Sequence, residues 1–175
     1  MIINVLGLGE SLKDFKQDGS ITIGVNDIWK YHKTHYIVCV DRINAFSVER
    51  FKTIHRSKPI KFLSHLEEWQ PLMPTFELIK LNSGRGNIKE IESENYCYSN
   101  NSPYVAVVLA YKLGATTINI YGVDFNTHKN FKDNMLLAAI KDFKVLFDYL
   151  KSKGIKINVT KSSKLNFYSN KINVV

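Results

Sequence analysis

Ile2-Ile3-Asn4-Val5-Leu6-Gly7-Leu8-Gly9-Glu10-Ser11 opens the chain. A short apolar run that ends on two closely spaced glycines reads as a strand leading into a tight turn. The polar residues that follow read as a helix start, with Ser11 as N-cap and Asp14 three residues later. Glycines let backbone approach a ligand closely, and a helix start presents free N–H groups and a positive dipole end to phosphate. Gly7, Gly9 and Ser11 are therefore expected to hold a nucleotide. The third glycine of the dinucleotide fingerprint is missing, since Lys13 falls near its place, and an NAD-type site is disfavoured. Asn26 and Asp27 lie about twenty residues further on, where a ribose or base contact is expected. Asn26 equally suits a plain turn.

The strand-turn-helix pattern repeats along the chain. Strands are expected at residues 2–6, 21–24, 36–40, 60–64, 76–81, 117–121 and 155–159, with a short one at 172–175. Helices are expected at 43–51, from 102 to about 113, and at 132–153. Ser102 as N-cap, with Pro103 at the first helical position, opens the second of these, and Gly114 fits its C′ position. In the last, Leu136, Ile140, Phe143, Phe147 and Leu150 recur at three and four residues and mark a buried face. Residues 82–101 are the least regular stretch, either a functional loop or a small strand pair at the sheet edge. Short apolar strands alternating with helices imply an α/β fold: a single Rossmann-like domain over residues 1–175, its sheet mostly parallel, with helices on both faces.

The chain has 175 residues, of which 45% are apolar, enough for a real core. No run approaches the roughly eighteen apolar residues of a membrane span. The first apolar stretch is short, lacks a basic leader and runs into glycines, so a cytoplasmic location is expected. Cys39 sits in an apolar strand and reads as a buried free thiol, whereas Cys97 is expected in a polar loop. The cysteines and the histidines at 32, 35, 55, 65 and 128 show no metal-ligand spacing, so no metal is expected. Net charge is +8, and residues 128–175 hold ten lysines against three aspartates. Such a surface suits an anionic partner, nucleic acid included, through lysine-rich residues 128–171. Lysine makes up 20 of the 24 basic residues, and asparagine is abundant too, so a compositional bias explains the charge equally well.

In an open parallel sheet, ligands bind beyond the carboxyl ends of the strands. That edge is expected to gather Gly7, Gly9, Asn26, Asp41 and Asp124. Ser102 either caps its helix or binds phosphate there. Asp41 and Asp124 are open to three roles: metal ligand, general base, or loop cap. His128, in the loop before the last helix, is the histidine best placed for proton transfer.

Gly7-Leu8-Gly9-Glu10-Ser11-Leu12-Lys13 resembles the G-x-G-P-S-L-K opening of small bacterial sialyltransferases. Motility-accessory-factor proteins have a related turn. Ile23-Gly24-Val25-Asn26 resembles the second-strand motif of the sialyltransferases. Ser102-Pro103-Tyr104-Val105-Ala106 through Gly122-Val123-Asp124-Phe125 resembles their T-S-G-x-x-x-A…G-x-D-F block. The resemblance implies a glycosyltransferase-like enzyme that binds a cytidine-type nucleotide sugar, requires no metal, and passes the sugar to a hydroxyl acceptor. It implies that Gly9 and Ser11 lie near phosphate or ribose, that Asn26 contacts the nucleotide, and that Ser102 meets it from the other side. It further implies a tyrosine pair on the leaving phosphate and a histidine base. The chain departs here. Asn126 stands where the tyrosine after D-F belongs, and the family histidine aligns near Leu137, nine residues past His128. Two other readings stay open: a non-catalytic nucleotide-binding or sequestering protein, as a virus or mobile element would use, and a nucleic-acid-modifying glycosyltransferase.

Overall fold

The computed structural model describes residues 1–64, 66–69, 71, 76–126 and 133–167. His128, the strand expected at 172–175 and part of the lysine-rich 128–171 lie outside the described residues. In chain order the elements are β1 (Ile2–Leu6), β2 (Ile21–Val25), β3 (Tyr36–Cys39), α1 (Val48–Arg56), β4 (Ile60–Leu63), α2 (Leu66–Trp69), β5 (Glu77–Leu78), β6 (Leu81–Arg85), β7 (Tyr96–Tyr98), α3 (Ser102–Lys112), β8 (Thr117–Tyr121), α4 (Asp133–Ser152) and β9 (Lys156–Val159). Seven strands form one sheet in the order β5-β4-β3-β2-β1-β8-β9, and β6 and β7 form a separate pair. Every neighbouring pair is parallel. The chain builds outward from β1 to one edge, then returns to β1's other side with β8. That reversal makes a crevice between the ends of β1 and β8.

Side-chain alternation divides the core between the two faces. Ile3, Val5, Ile23, Val25 and Val38 pack with α3 and α4. Leu6, Ile37, Cys39 and Leu63 pack with Phe46, Ile54 and Trp69 on the other face. Helices therefore cover both faces, as the pattern predicts, but unequally. Residues 10–14 and 28–30 form 3₁₀ turns instead of α-helices. A helical crossover needs roughly a dozen residues or more, and the connection over 26–35 is shorter than that. The second face also carries a polar ladder. Asn158 Nδ2 donates to Asn119 Oδ1 (2.7 Å), and Asn119 Nδ2 donates to Asn4 Oδ1 (2.8 Å). Strand register places these three asparagines side by side, which satisfies Asn4 although it is only 1% exposed.

α3 is buried nearly all round, from Tyr104 to Ala110, as expected of a helix apolar on every side. Its N-cap is Asn101, whose side chain accepts the Tyr104 N–H at 2.8 Å, so Ser102 is the first helical residue and not the cap. Pro103 and the positive φ of Gly114 (+83°) bound the helix as read. α4 buries Leu136, Phe143, Phe147 and Leu150, as the periodicity predicts, and adds Ala139 and Leu146, while Ile140 is half-buried. The helix expected at 43–51 divides into a 3₁₀ turn at Ile43–Ala45 and α1, which is capped by Ser47. The strand expected at 76–81 splits between the two sheets as β5 and β6. Cys97 is buried in β7 instead of exposed in a loop. The rest of residues 82–101 is tied down through Glu92, which accepts hydroxyl donation from Tyr111 (2.7 Å) and Tyr149. Hydrogen bonds from Tyr149 and then Tyr111 hold that carboxyl down at about 2.

Phe143 sits at the centre of the α3–α4 side, its ring 5.3–5.6 Å from those of Tyr104, Phe125 and Phe147. Phe143→Ala is expected to lower unfolding free energy by about 3–5 kcal/mol in urea denaturation. Leu137→Ala, on the exposed side of the same helix, should stay within about 0.5 kcal/mol of wild type.

Candidate functional site

The glycine turn after β1 packs on the end of β8. Gly7 N–H donates to Tyr121 O (2.8 Å), and Gly9 N–H donates to Gly122 O (2.7 Å). A Cβ on Gly7 would stand 2.8 Å from the carbonyl carbon of Gly122, and one on Gly9 would stand 2.6 Å from Asp124 Oδ2. Gly122 has φ +66°, and its own Cβ would meet Gly7 O at 2.5 Å. The missing side chains thus allow two strand-end turns to touch. Gly7 is buried under the opposing turn.

Ser11 and Asp124 complete this junction. Ser11 N–H donates to Asp124 Oδ2 at 2.9 Å, and the Ser11 hydroxyl donates to Asp124 Oδ1. Ser11 Oγ in turn accepts the Gly122 N–H at 2.9 Å. Ser11 is 2% exposed and Asp124 8%. The N–H that the sequence offers to a phosphate is therefore taken by the chain's own carboxylate. Ser11 is not the N-cap expected from the sequence: it lies inside a five-residue 3₁₀ turn, Glu10–Asp14, whose N-cap position is Gly9 and which has no side-chain cap. Asp124, expected as a base, has both oxygens engaged and anchors the turn.

A second cluster lies at the ends of β2 and β3. Asn26 adopts φ +52°, and its N–H donates to Val38 O at 3.0 Å. Asn and Asp tolerate this left-handed conformation better than other side chains. The Ser102 hydroxyl donates to Asn26 Oδ1 (3.1 Å) while its oxygen accepts the Val40 N–H (3.2 Å). Ser102 is thereby fixed, and Asn26 Nδ2 has no partner among the described residues. Asp27, next in sequence, accepts Arg50 Nε (2.8 Å) and Nη2 (2.7 Å) on Oδ1. Arg50 carried no local sequence signal; it reaches Asp27 only because α1 packs beside the end of β2.

Above both clusters opens a cleft of about 890 Å³, within the range of small-molecule sites. Gly9, Asn26, Asp41, Ser102 and Asp124 all line it, whereas Gly7 and Ser11 are not among its lining residues. The lining also includes Arg85, Asn100 and Leu136, none of them a candidate site residue from the sequence. Asp41 and Asp124 are not part of a metal cluster: among the described residues no group of three or more His, Cys, Asp or Glu is placed to hold a metal ion. No described helix is long and apolar enough to cross a membrane.

Two substitutions test the junction. Gly7→Ala is expected to cost about 3 kcal/mol or more, because backbone opposes the new methyl, whereas Gly19→Ala, in open space at φ +81°, should cost about 1–2 kcal/mol. Asp124→Asn should cost about 1–3 kcal/mol by leaving a buried donor unpaired. Chemical denaturation checks both. An Asp124→Asn protein of unchanged stability would remove the anchor role.

No family model matches the chain, and no curated protein matches it. Solved structures do. The sialyltransferase CstII from Campylobacter jejuni, in complex with the substrate analogue CMP-3FNeuAc, matches at 15% identity and TM-score 0.55, over 90% of this chain and 79% of that one. The same enzyme with a trisaccharide acceptor and CMP matches at 15% identity and TM-score 0.56, over 91% and 80%. The monofunctional alpha-2,3-sialyltransferase Cst-I from Campylobacter jejuni matches at 16% identity and TM-score 0.60, over 99% and 81%. The chain therefore has the Rossmann-like fold of these Campylobacter sialyltransferases.

Proposed function

We propose that the protein binds a cytidine-type nucleotide sugar in the cleft and transfers its sugar to a hydroxyl acceptor. The observation that carries this reading is the Asn26–Ser102 pair lining the switch-point cleft. One amide is held by a buried hydroxyl so that its Nδ2 remains free for a ligand. Sialyltransferases with CMP or a CMP-sugar analogue bound share the surrounding fold. In this reading Asn26 donates to the nucleotide, Ser102 orients Asn26, and the backbone at Gly9 and the Asp41 side chain border the ligand. Gly7, Ser11 and Asp124 hold the floor in shape. The base is His128, assigned from its place in the sequence just after Asp124. It takes the proton of the acceptor hydroxyl as that oxygen bonds to the sugar carbon and the bond to phosphate breaks, releasing the nucleotide.

One observation favours a second reading, binding without turnover. Asn126, where the family resemblance expects a phosphate-contacting tyrosine, lines the cleft without a phenol, and its Nδ2 donates to Ser162 O at 3.0 Å. The nucleic-acid reading draws no such support. Among the described residues the cleft sets Glu10, Asp41 and Asp124 against two arginines, and Lys144 and Lys153 are already paired with Asp148 and Glu92.

Calorimetry with cytidine and uridine nucleotides, followed by a transfer assay, separates these readings. Asn26→Ala is expected to weaken CMP binding by about tenfold. His128→Ala should abolish transfer and keep binding. Full activity in His128→Ala would remove the base assignment, and tight binding with no product from wild type would select the non-catalytic reading.

A further inference from the structure

Among the described residues, the ionisable side chains lining the cleft do not favour an anion by number, since three carboxylates stand against two arginines. An incoming phosphate or carboxylate must therefore meet a cation whose donors are still available. Arg50 is largely committed. Its Nε and Nη2 both reach Asp27 Oδ1, and its guanidinium lies 5.0 Å over the Phe46 ring. Arg85 differs. Its Nε donates to Asp142 Oδ2 at 2.9 Å, and its side chain is 34% exposed. Its Nη1 and Nη2 have no partner among the described residues.

Asp142 is well held for the task. It sits on α4 with its side chain only 16% exposed, and the same Oδ2 accepts the Ser99 hydroxyl at 2.5 Å. Gly86, at φ +69°, backs onto the carboxylate so closely that a Cβ would lie 2.5 Å from Oδ1. The ends of β6 and β7 thus converge with α4 on one carboxylate. A guanidinium pinned at Nε keeps its two Nη groups as a fork, the geometry that matches two oxygens of a carboxylate or phosphate.

We propose that Arg85 is the oxyanion-binding residue of this cleft, taking a carboxylate or phosphate group of the ligand through Nη1 and Nη2, with Asp142 as its positioning residue. For the identity of the ligand this rests on the nucleotide-sugar reading above; the anchor's geometry does not. Arg85 then decides which small molecules the cleft retains, because among the described residues it is the lining cation with an open fork.

The test is calorimetry on wild type, R85Q, R85K and D142N. The probes are cytidine, CMP, the analogue CMP-3FNeuAc, and inorganic pyrophosphate as a nucleotide-free oxyanion. R85Q is expected to weaken the analogue by about tenfold or more, while cytidine changes by less than about twofold. An equal loss with CMP assigns the phosphate to Arg85, and a loss confined to the analogue assigns the sugar carboxylate. R85K should recover part of the affinity, keeping the charge but not the fork, and it carries the test if R85Q fails to fold. D142N should weaken the anionic probes more than cytidine, whereas a merely structural role would move all alike. The proposal is overturned if both Arg85 variants bind the analogue within about twofold of wild type, or lose cytidine and analogue equally. If wild type binds pyrophosphate but no cytidine compound, the nucleotide reading fails, and Arg85 stands or falls on whether R85Q loses pyrophosphate. A wild type that binds none of the probes overturns both.

Discussion

The contact between the turns that end β1 and β8 organises this molecule. Gly7 and Gly122 touch backbone to backbone, and Ser11 and Asp124 bolt the contact together through a buried, charge-assisted pair of hydrogen bonds. The sheet reverses its order at this same place. A parallel sheet whose strands diverge there must open a crevice, and something must set its floor. Here backbone sets the floor, because neither glycine leaves room for a Cβ. The cleft above owes its depth to that economy.

The same contact separates two functions that glycine-rich turns are often assumed to combine. A turn of this type can present N–H groups to a phosphate. In this chain the Gly9 N–H serves Gly122 O and the Ser11 N–H serves Asp124, so those donors are already occupied. In the proposed reading, ligand recognition falls instead to side chains held by a partner: Asn26 by Ser102, and Arg85 by Asp142. Each pair follows the same logic. A partner side chain holds a polar group and leaves part of its hydrogen-bonding capacity unused, so less conformational freedom remains to be lost on binding.

Charge shows how weakly composition bears on a site. The net charge of +8 suggests an anionic partner, yet among the described residues the cleft lining holds more carboxylates than arginines. Lys144 on α4 and Lys153 just past its end are instead engaged along the surface, in the Lys144–Asp148 and Lys153–Glu92 pairs. Exposed pairs of this kind contribute little to stability and less to specificity. Any anion selectivity of the cleft must therefore come from single, positioned cations, which a sum over the sequence does not register.

Local pattern alone determined the elements that bury apolar surface. β1, β3 and β8 follow from short apolar runs, α3 from Pro103 and Gly114, and α4 from its three- and four-residue spacing, because side-chain periodicity is a property of the nearby chain. Their alternation was enough to imply the parallel sheet and the edge where Asn26, Asp41, Ser102 and Asp124 collect. The tertiary structure decided what each of those residues does. Asp124 anchors Ser11 across more than a hundred residues of chain, Ser102 bridges to Asn26, and Arg85 meets Asp142. Hydrogen-bond partners are chosen by proximity in space, and proximity between distant segments is set only when strands pair and helices dock.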